Sequence, residues 1–122
     1  ELNYENNFRA IRYSDVLLMA AEANNRKTGA DDAKAQNYLN QVRARAFGNA
    51  SQASTSTGAT LTQEIWDERR LEFDMEGHRF FDLVRTGEAA AKISGFVSGK
   101  HEVFPIPQTE IDISGLTQNP GY

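Results

Sequence analysis

The sequence predicts a mostly α-helical protein: a helical hairpin of tetratricopeptide-like type, two further helices, and an extended, loop-rich C-terminal tail. Three observations carry that expectation. Apolar residues recur at three- and four-residue spacing in two neighbouring segments separated by a glycine-containing turn. A third stretch, Glu68 to Arg85, alternates charged and bulky apolar groups so densely that neither class can be wholly exposed. From Gly95 onward the pattern becomes glycine-punctuated, and Pro105 and Pro107 forbid a helix around Val103 to Pro107.

Residues 1 to 10 read as a polar lead-in. In the first helix Tyr13, Leu17, Ala20, Ala21 and Asn24 follow helical spacing, with Leu18 and Met19 widening the apolar surface. Ser14 or Asp15 is the expected cap, and Gly29 the stop. Asp31 or Asp32 offers an N-cap for the second helix, where Ala35, Tyr38, Leu39, Val42 and Ala46 form an amphipathic stripe. Together they make a hairpin over about 12–47, in which Ala20, Ala21 and Ala23 allow close approach of the axes. Residues 48–60, with no large apolar side chain, are expected as an exposed, mobile loop. Helices then fill about 61–92. The third opens at a capping box of Thr60 and Gln63 and carries Ile65, Trp66, Arg69 and Phe73. Gly77 ends or bends it, and the fourth runs from Arg79 to about Ala91, with Gly87 marking a break. In the tail, 95–122, Thr109 to Asp112 suit one helical turn, and Gln118-Asn119-Pro120-Gly121-Tyr122 reads as a turn closing on an aromatic anchor. The whole, 1–122, is read as a single domain.

Composition narrows the function. At 122 residues with 25% charged and 39% hydrophobic side chains, the chain has the balance of a folding, water-exposed protein. Its net charge of -4, with cations interleaved among acids, gives no basic field for nucleic acid. No cysteine is present, so disulfides, thiolate nucleophiles and cysteine zinc sites are excluded. The longest apolar run, Val16 to Ala21, is far short of the ~20 residues of a bilayer-spanning helix. The first residues carry no signal-peptide pattern, so an export signal would lie outside this chain.

Buried charges cost several kcal/mol, roughly, unless paired, so the Glu68 to Arg85 block implies an ion-pair network or a functional site. Glu68, Glu72 and Glu76, at four-residue spacing, share one helical face, the arrangement a carboxylate metal site requires. A bundle di-metal site needs Glu-x-x-His, however, and Met75 occupies the place three before His78. The structural reading pairs Glu68, Glu72 and Asp82 with Arg69, Arg79 and Arg85, fixing the third helix against the fourth. On that reading Arg79→Ala costs about 3 kcal/mol or more. Neither His78 nor His101 sits in a nucleophile relay, and no glycine-rich phosphate cradle is present. No metal and no cofactor is expected. Aromatic candidates for stacking on a sugar ring are Trp66, Tyr4 and Phe96, with Trp66 read as core. Phe73, Phe80, Phe81 and Tyr13 are expected in the core.

The same block, E-R-R-x-E-F-x-x-E-G-x-R-F-F-D-L-x-R, resembles the signature of the SusD/RagB family of outer-membrane nutrient-binding lipoproteins. Three other segments resemble it in the same order: Ile11 to Ala23, Leu39 to Ala46, and Phe104 to Gln108 with Gln118 to Tyr122. The resemblance implies the C-terminal part of a larger, non-enzymatic, surface-exposed lipoprotein. Such a protein is lipid-anchored outside this chain, binds oligosaccharides for polysaccharide utilisation and nutrient uptake, and partners a SusC-like TonB-dependent transporter. No ligand-binding residue transfers by motif. Alternatives are a peptide-binding member of the family, a tetratricopeptide-like protein adaptor, and, last, a small hydrolase using Glu68, Glu72 and His78.

Overall fold

The computed structural model describes residues 10–122. Among them the chain forms six helices and no strand: α1 (Tyr13–Arg26), α2 (Asp32–Phe47), α3 (Gly58–Glu72), α4 (Arg79–Thr86), α5 (Ala89–Lys92) and α6 (Gln108–Ser114). The chain divides into two compact units, one ending at Glu76 and the other spanning Gly77 to Tyr122. Most of the polar lead-in, including Tyr4, lies outside the described residues.

In the first unit α1 and α2 form the expected hairpin, and α3 packs against both. Leu17, Leu18 and Ala21 from α1, Ala35, Leu39 and Val42 from α2, and Leu61 and Ile65 from α3 make one buried cluster, closed by Phe73. Complete burial of each large member contributes roughly 1.5–3 kcal/mol, so this cluster dominates the unit's stability. Polar knots set the helix ends. The Asp31 carboxylate accepts the Lys34 amide at 3.0 Å and caps α2. Asn25 donates its amide to Asp32 Oδ1 at 2.7 Å and to the Gly58 carbonyl at 3.1 Å, while Asp32 Oδ2 accepts the Gly58 amide at 2.7 Å. The hairpin turn therefore holds the start of α3.

Several details differ from the sequence expectation. The helix α1 begins at Tyr13 with Arg12 in the cap position and no side-chain cap bond. Neither Ser14 nor Asp15 caps it, because Ser14 accepts from Arg12 and Asp15 pairs with Arg69. The helix α3 begins at Gly58, ahead of the Thr60 and Gln63 capping box, since Asp32 supplies an acceptor for its first amide from another helix. Residues 48–60 are held as well as exposed. Asn40 accepts the Ser54 amide at 2.6 Å and returns its own amide to the Ser54 carbonyl at 3.0 Å. Gln36 donates to the Ser56 carbonyl at 2.7 Å, and Ser54 is buried. The chain then turns between Phe73 and Gly77, where Met75 takes a left-handed φ of 65°.

The second unit has a small interior. Leu83 of α4 and Ala89 of α5 are its buried apolar residues. Gly87, at a φ of 76°, ends α4 in the left-handed conformation, the break expected there. The tail closes back on residues 103–106. Gln118 accepts the Ile106 amide at 2.8 Å and donates to its carbonyl at 2.9 Å, Asn119 donates to the Phe104 carbonyl at 2.7 Å, and the Tyr122 hydroxyl donates to the Val103 carbonyl at 3.0 Å. Of the aromatics expected in the core, Phe73 is buried, Phe80 half-buried, and Tyr13 and Phe81 are 73% and 65% exposed. Helical spacing identifies a face; these two faces have no covering element among the described residues.

Candidate functional site

Two arrangements stand out, a lattice of ion pairs in the first unit and an aromatic cleft in the second. The lattice grows from the spacing of α2 and α3. Glu64 and Glu68, one turn apart on α3, both meet Arg43 of α2, at 3.0 and 2.9 Å. One turn further, Glu72 lies between Arg12, at 2.9 Å, and Arg45 of α2. Arg12 also donates to the Glu72 carbonyl at 2.8 Å and to Glu76 at 2.7 Å, and its guanidinium lies 4.9 Å from the Phe73 ring centroid. On the opposite side of α3, Arg69 donates to Asp15 of α1 at 2.7 Å, with both side chains at or below 10% exposure.

These contacts answer where the block's charges go. Glu68, Arg69 and Glu72 pair with Arg43, Asp15, and Arg12 with Arg45, respectively, all within the first unit. Asp82 and Arg85 meet each other within α4 at 2.7 Å. Half-buried Arg79 makes no ion pair with another described residue. Glu68 and Glu72 thus tie α3 to α2 and to Arg12 at the start of α1, and of the expected pairs among Glu68, Glu72 and Asp82 with Arg69, Arg79 and Arg85, that of Asp82 with Arg85 is present. The ion-pair partners not expected from the sequence are Arg12, Asp15, Arg43, Arg45, Glu64 and Glu76. Their signal was the placing of Arg43 and Arg45 on α2 at the rise of α3's glutamates, which becomes legible only once the two helices are docked.

The electrostatics follow. Burial alone raises the Glu72 carboxyl, but hydrogen bonds from Arg12 and Ser14 and the charges of Arg45 and Arg12 outweigh it, and the group is held below the ordinary glutamate value. Glu64 behaves likewise: burial opposes, while hydrogen bonds from Ser56 and Ser54 and the charge and hydrogen bond of Arg43 prevail. The helix α3 ends at Glu72, so Glu76 sits in the following turn and the three glutamates do not form one continuous helical face. Each is turned to an arginine rather than toward the others. Chemically, the lattice is a clamp. Beside it, Tyr13, Leu17, Gln41, Val42 and Ala44 line a hollow of about 520 Å³ rimmed by Arg12, Arg45 and Glu72.

In the second unit Phe80, Phe96, Phe104, His101 and Tyr122 line a cleft of about 410 Å³. The Phe80 ring lies 6.5 Å from Phe96 and 6.4 Å from Phe104, and Phe96 meets His101 edge-on at 5.7 Å. Of the stacking candidates, Phe96 is in this cleft. Trp66 is half-buried on α3, with the Arg26 guanidinium 5.5 Å from its ring centroid.

A helix hairpin of tetratricopeptide type, clamped to a third helix by arginine–carboxylate pairs, defines a helical scaffold class. The particular family follows from comparison: the SusD family matches residues 1–102, and the chain belongs to it. SusD-like protein P25 of Formosa agariphila is 38% identical over 70% of this chain and 16% of its own length. SusD-like protein P2 of the same organism is 31% identical over 95% of this chain and 26% of its own length. SusD-like protein P38, also from that organism, is 32% identical over 78% of this chain and 20% of its own length. The chain thus spans about a quarter or less of these relatives. No solved structure matches it. The Phe104 to Gln108 and Gln118 to Tyr122 segments lie beyond the family match.

Proposed function

We propose that this chain is the C-terminal part of a glycan-binding, nutrient-uptake lipoprotein at the outer membrane surface, partnered with a SusC-like TonB-dependent transporter. In this reading the segment is mainly structural, and the protein binds rather than catalyses. The family match over residues 1–102 is the observation that carries the reading. The clamp supports the structural part of it, since the signature charges of α3 are committed to arginines that hold α1 and α2. The charges of Glu68, Arg69, Glu72, Arg79, Asp82 and Arg85 then serve scaffold integrity, and ligand capture falls largely to other parts of the full-length protein.

The test is the complete gene product. Its reading frame is expected to encode a lipobox cysteine upstream of Glu1, and the protein to fractionate with the outer membrane and bind oligosaccharides by calorimetry. Binding to peptides alone would move the assignment to a peptide-capturing member of the family. A natural start codon close to Glu1 with no export signal would favour a free-standing adaptor instead.

A further inference from the structure

After α5 the chain makes a turn over residues 97–101 that is closed by a histidine, a residue type the scaffold role does not require. Val97 donates its amide to Nδ1 of His101 at 3.0 Å, while its carbonyl accepts the amides of Lys100 at 3.2 Å and His101 at 3.0 Å. Gly99, at a φ of 83°, supplies the left-handed step, and its amide goes to Glu102 Oε1 at 3.0 Å. Two side chains thus act as acceptors for one turn. An imidazole nitrogen accepts only when it carries no proton, so this geometry fixes the neutral ring with its proton on Nε2. The turn also carries residues that tie its surroundings together. Phe96, directly before Val97, meets His101 edge-on at 5.7 Å and lies 6.5 Å from the Phe80 ring of α4. Lys100 lies 4.7 Å from the ring centroid of Tyr122, whose hydroxyl donates to the Val103 carbonyl at 3.0 Å.

We propose that this hydrogen bond is a proton-operated latch within the second unit: neutral His101 holds the 97–101 turn closed, and protonation of Nδ1 opens it. The proton and the Val97 amide compete for one lone pair, the only one Nδ1 has. Once Nδ1 is protonated, its N–H faces the Val97 N–H donor to donor, and the amide has lost its acceptor. The surrounding groups reinforce the effect. Glu102, the next residue, accepts the Gly99 amide, so an imidazolium beside it competes for that carboxylate through a stronger, charge-assisted bond and loosens the turn's second fastening. Lys100, the preceding residue, is turned to the Tyr122 ring. Among the residues lining the cleft with His101, Tyr122 is the one other titratable group, and its hydroxyl is committed to Val103. An open turn frees Phe96 from Phe80 and Lys100 from Tyr122, so the proton reshapes the cleft wall. Imidazole is the side chain that ordinarily changes charge between about pH 5 and 8, which makes the latch responsive near neutrality. The inference stands on this chain's own geometry and is independent of the lipoprotein reading.

The experiment is a titration of the 122-residue chain from about pH 8 down to about pH 5, followed by nitrogen-15 NMR. At the upper end the ring nitrogens of His101 should show the Nε2–H tautomer. As the ring protonates, exchange of the Val97 amide, corrected for its intrinsic pH dependence, should quicken about tenfold, the scale of one lost hydrogen bond. The Gly99 and Lys100 amides should follow with the same midpoint. His101→Gln, which cannot titrate, should lose the step, and His78→Gln, which removes the other of the two histidines, should keep it. The parent's own titration decides the matter even where a variant melts early. Constant protection of the Val97 amide while the His101 ring titrates overturns the latch. So does an Nδ1–H tautomer at the upper end, or a step that survives in His101→Gln.

Discussion

Arg69 and Asp15 form the most deeply placed ion pair in the first unit, so a single truncation there should be felt strongly. Removing Arg69 leaves the Asp15 carboxylate buried without its cation, a penalty of about 3–5 kcal/mol. Arg69→Ala is therefore expected to lower the urea unfolding free energy by that amount. The Arg69→Ala, Asp15→Ala double variant should lose clearly less than the two single losses combined, because the second truncation removes the orphaned charge. Strict additivity would show that the pair is not coupled. The same scale gives a pH dependence. Glu72 and Glu64 have carboxyl groups held below their ordinary value of 4.5. A depressed native pKa stabilises the fold above the unfolded value, and that contribution disappears as pH falls through the native one. The unfolding midpoint should thus drop below about pH 4.5, and in Glu72→Gln the drop should be shallower, as the variant has already lost the titrating group. An identical acid slope in parent and variant would exclude Glu72 as a contributor.

At the scale of elements, helix positions were legible because each helix of the first unit must bury a stripe, and a stripe has a period. Leu17, Leu39 and Ile65 report their faces directly. What the sequence could not reveal was which faces find a cover: Tyr13 and Phe81 have the right character and remain exposed. The Glu68 to Arg85 block misled in a related way. Its charges balance internally, which suggests local pairing, but helix geometry points Glu68 and Glu72 across to α2 and Arg12. Residues 48–60 hid their anchors because a buried serine leaves no hydrophobic signal, and its partners Asn40 and Gln36 sit on α2. That anchoring has a measurable consequence. Asn40→Ala leaves both the Ser54 amide and carbonyl without their partner, which costs about 1–3 kcal/mol. Amide exchange at Ser54 should accelerate while that at Leu39 stays slow under native conditions. Unchanged protection at Ser54 would mean the segment is held by other contacts.

Across the whole molecule, buried apolar area is divided unequally. The first unit gathers nine buried apolar residues into one cluster. The second has Leu83 and Ala89, while Phe81, Phe104 and Ile113 stay at 65%, 75% and 81% exposure. Since hydrophobic burial is the main favourable contribution to folding, and backbone ordering costs about 1–2 kcal/mol per residue everywhere, the second unit has far less to set against its entropy. Side-chain bonds to the backbone, such as those of Gln118 and Asn119, contribute only about 0.5–1.5 kcal/mol each and cannot replace a core. Native-state hydrogen exchange should therefore resolve two classes. Amides of Leu18, Leu39 and Ile65 should exchange only through global unfolding, and those of α4 and α5 through a smaller opening that appears at lower denaturant. One common protection class would show that the two units unfold as a single cooperative body despite their unequal cores.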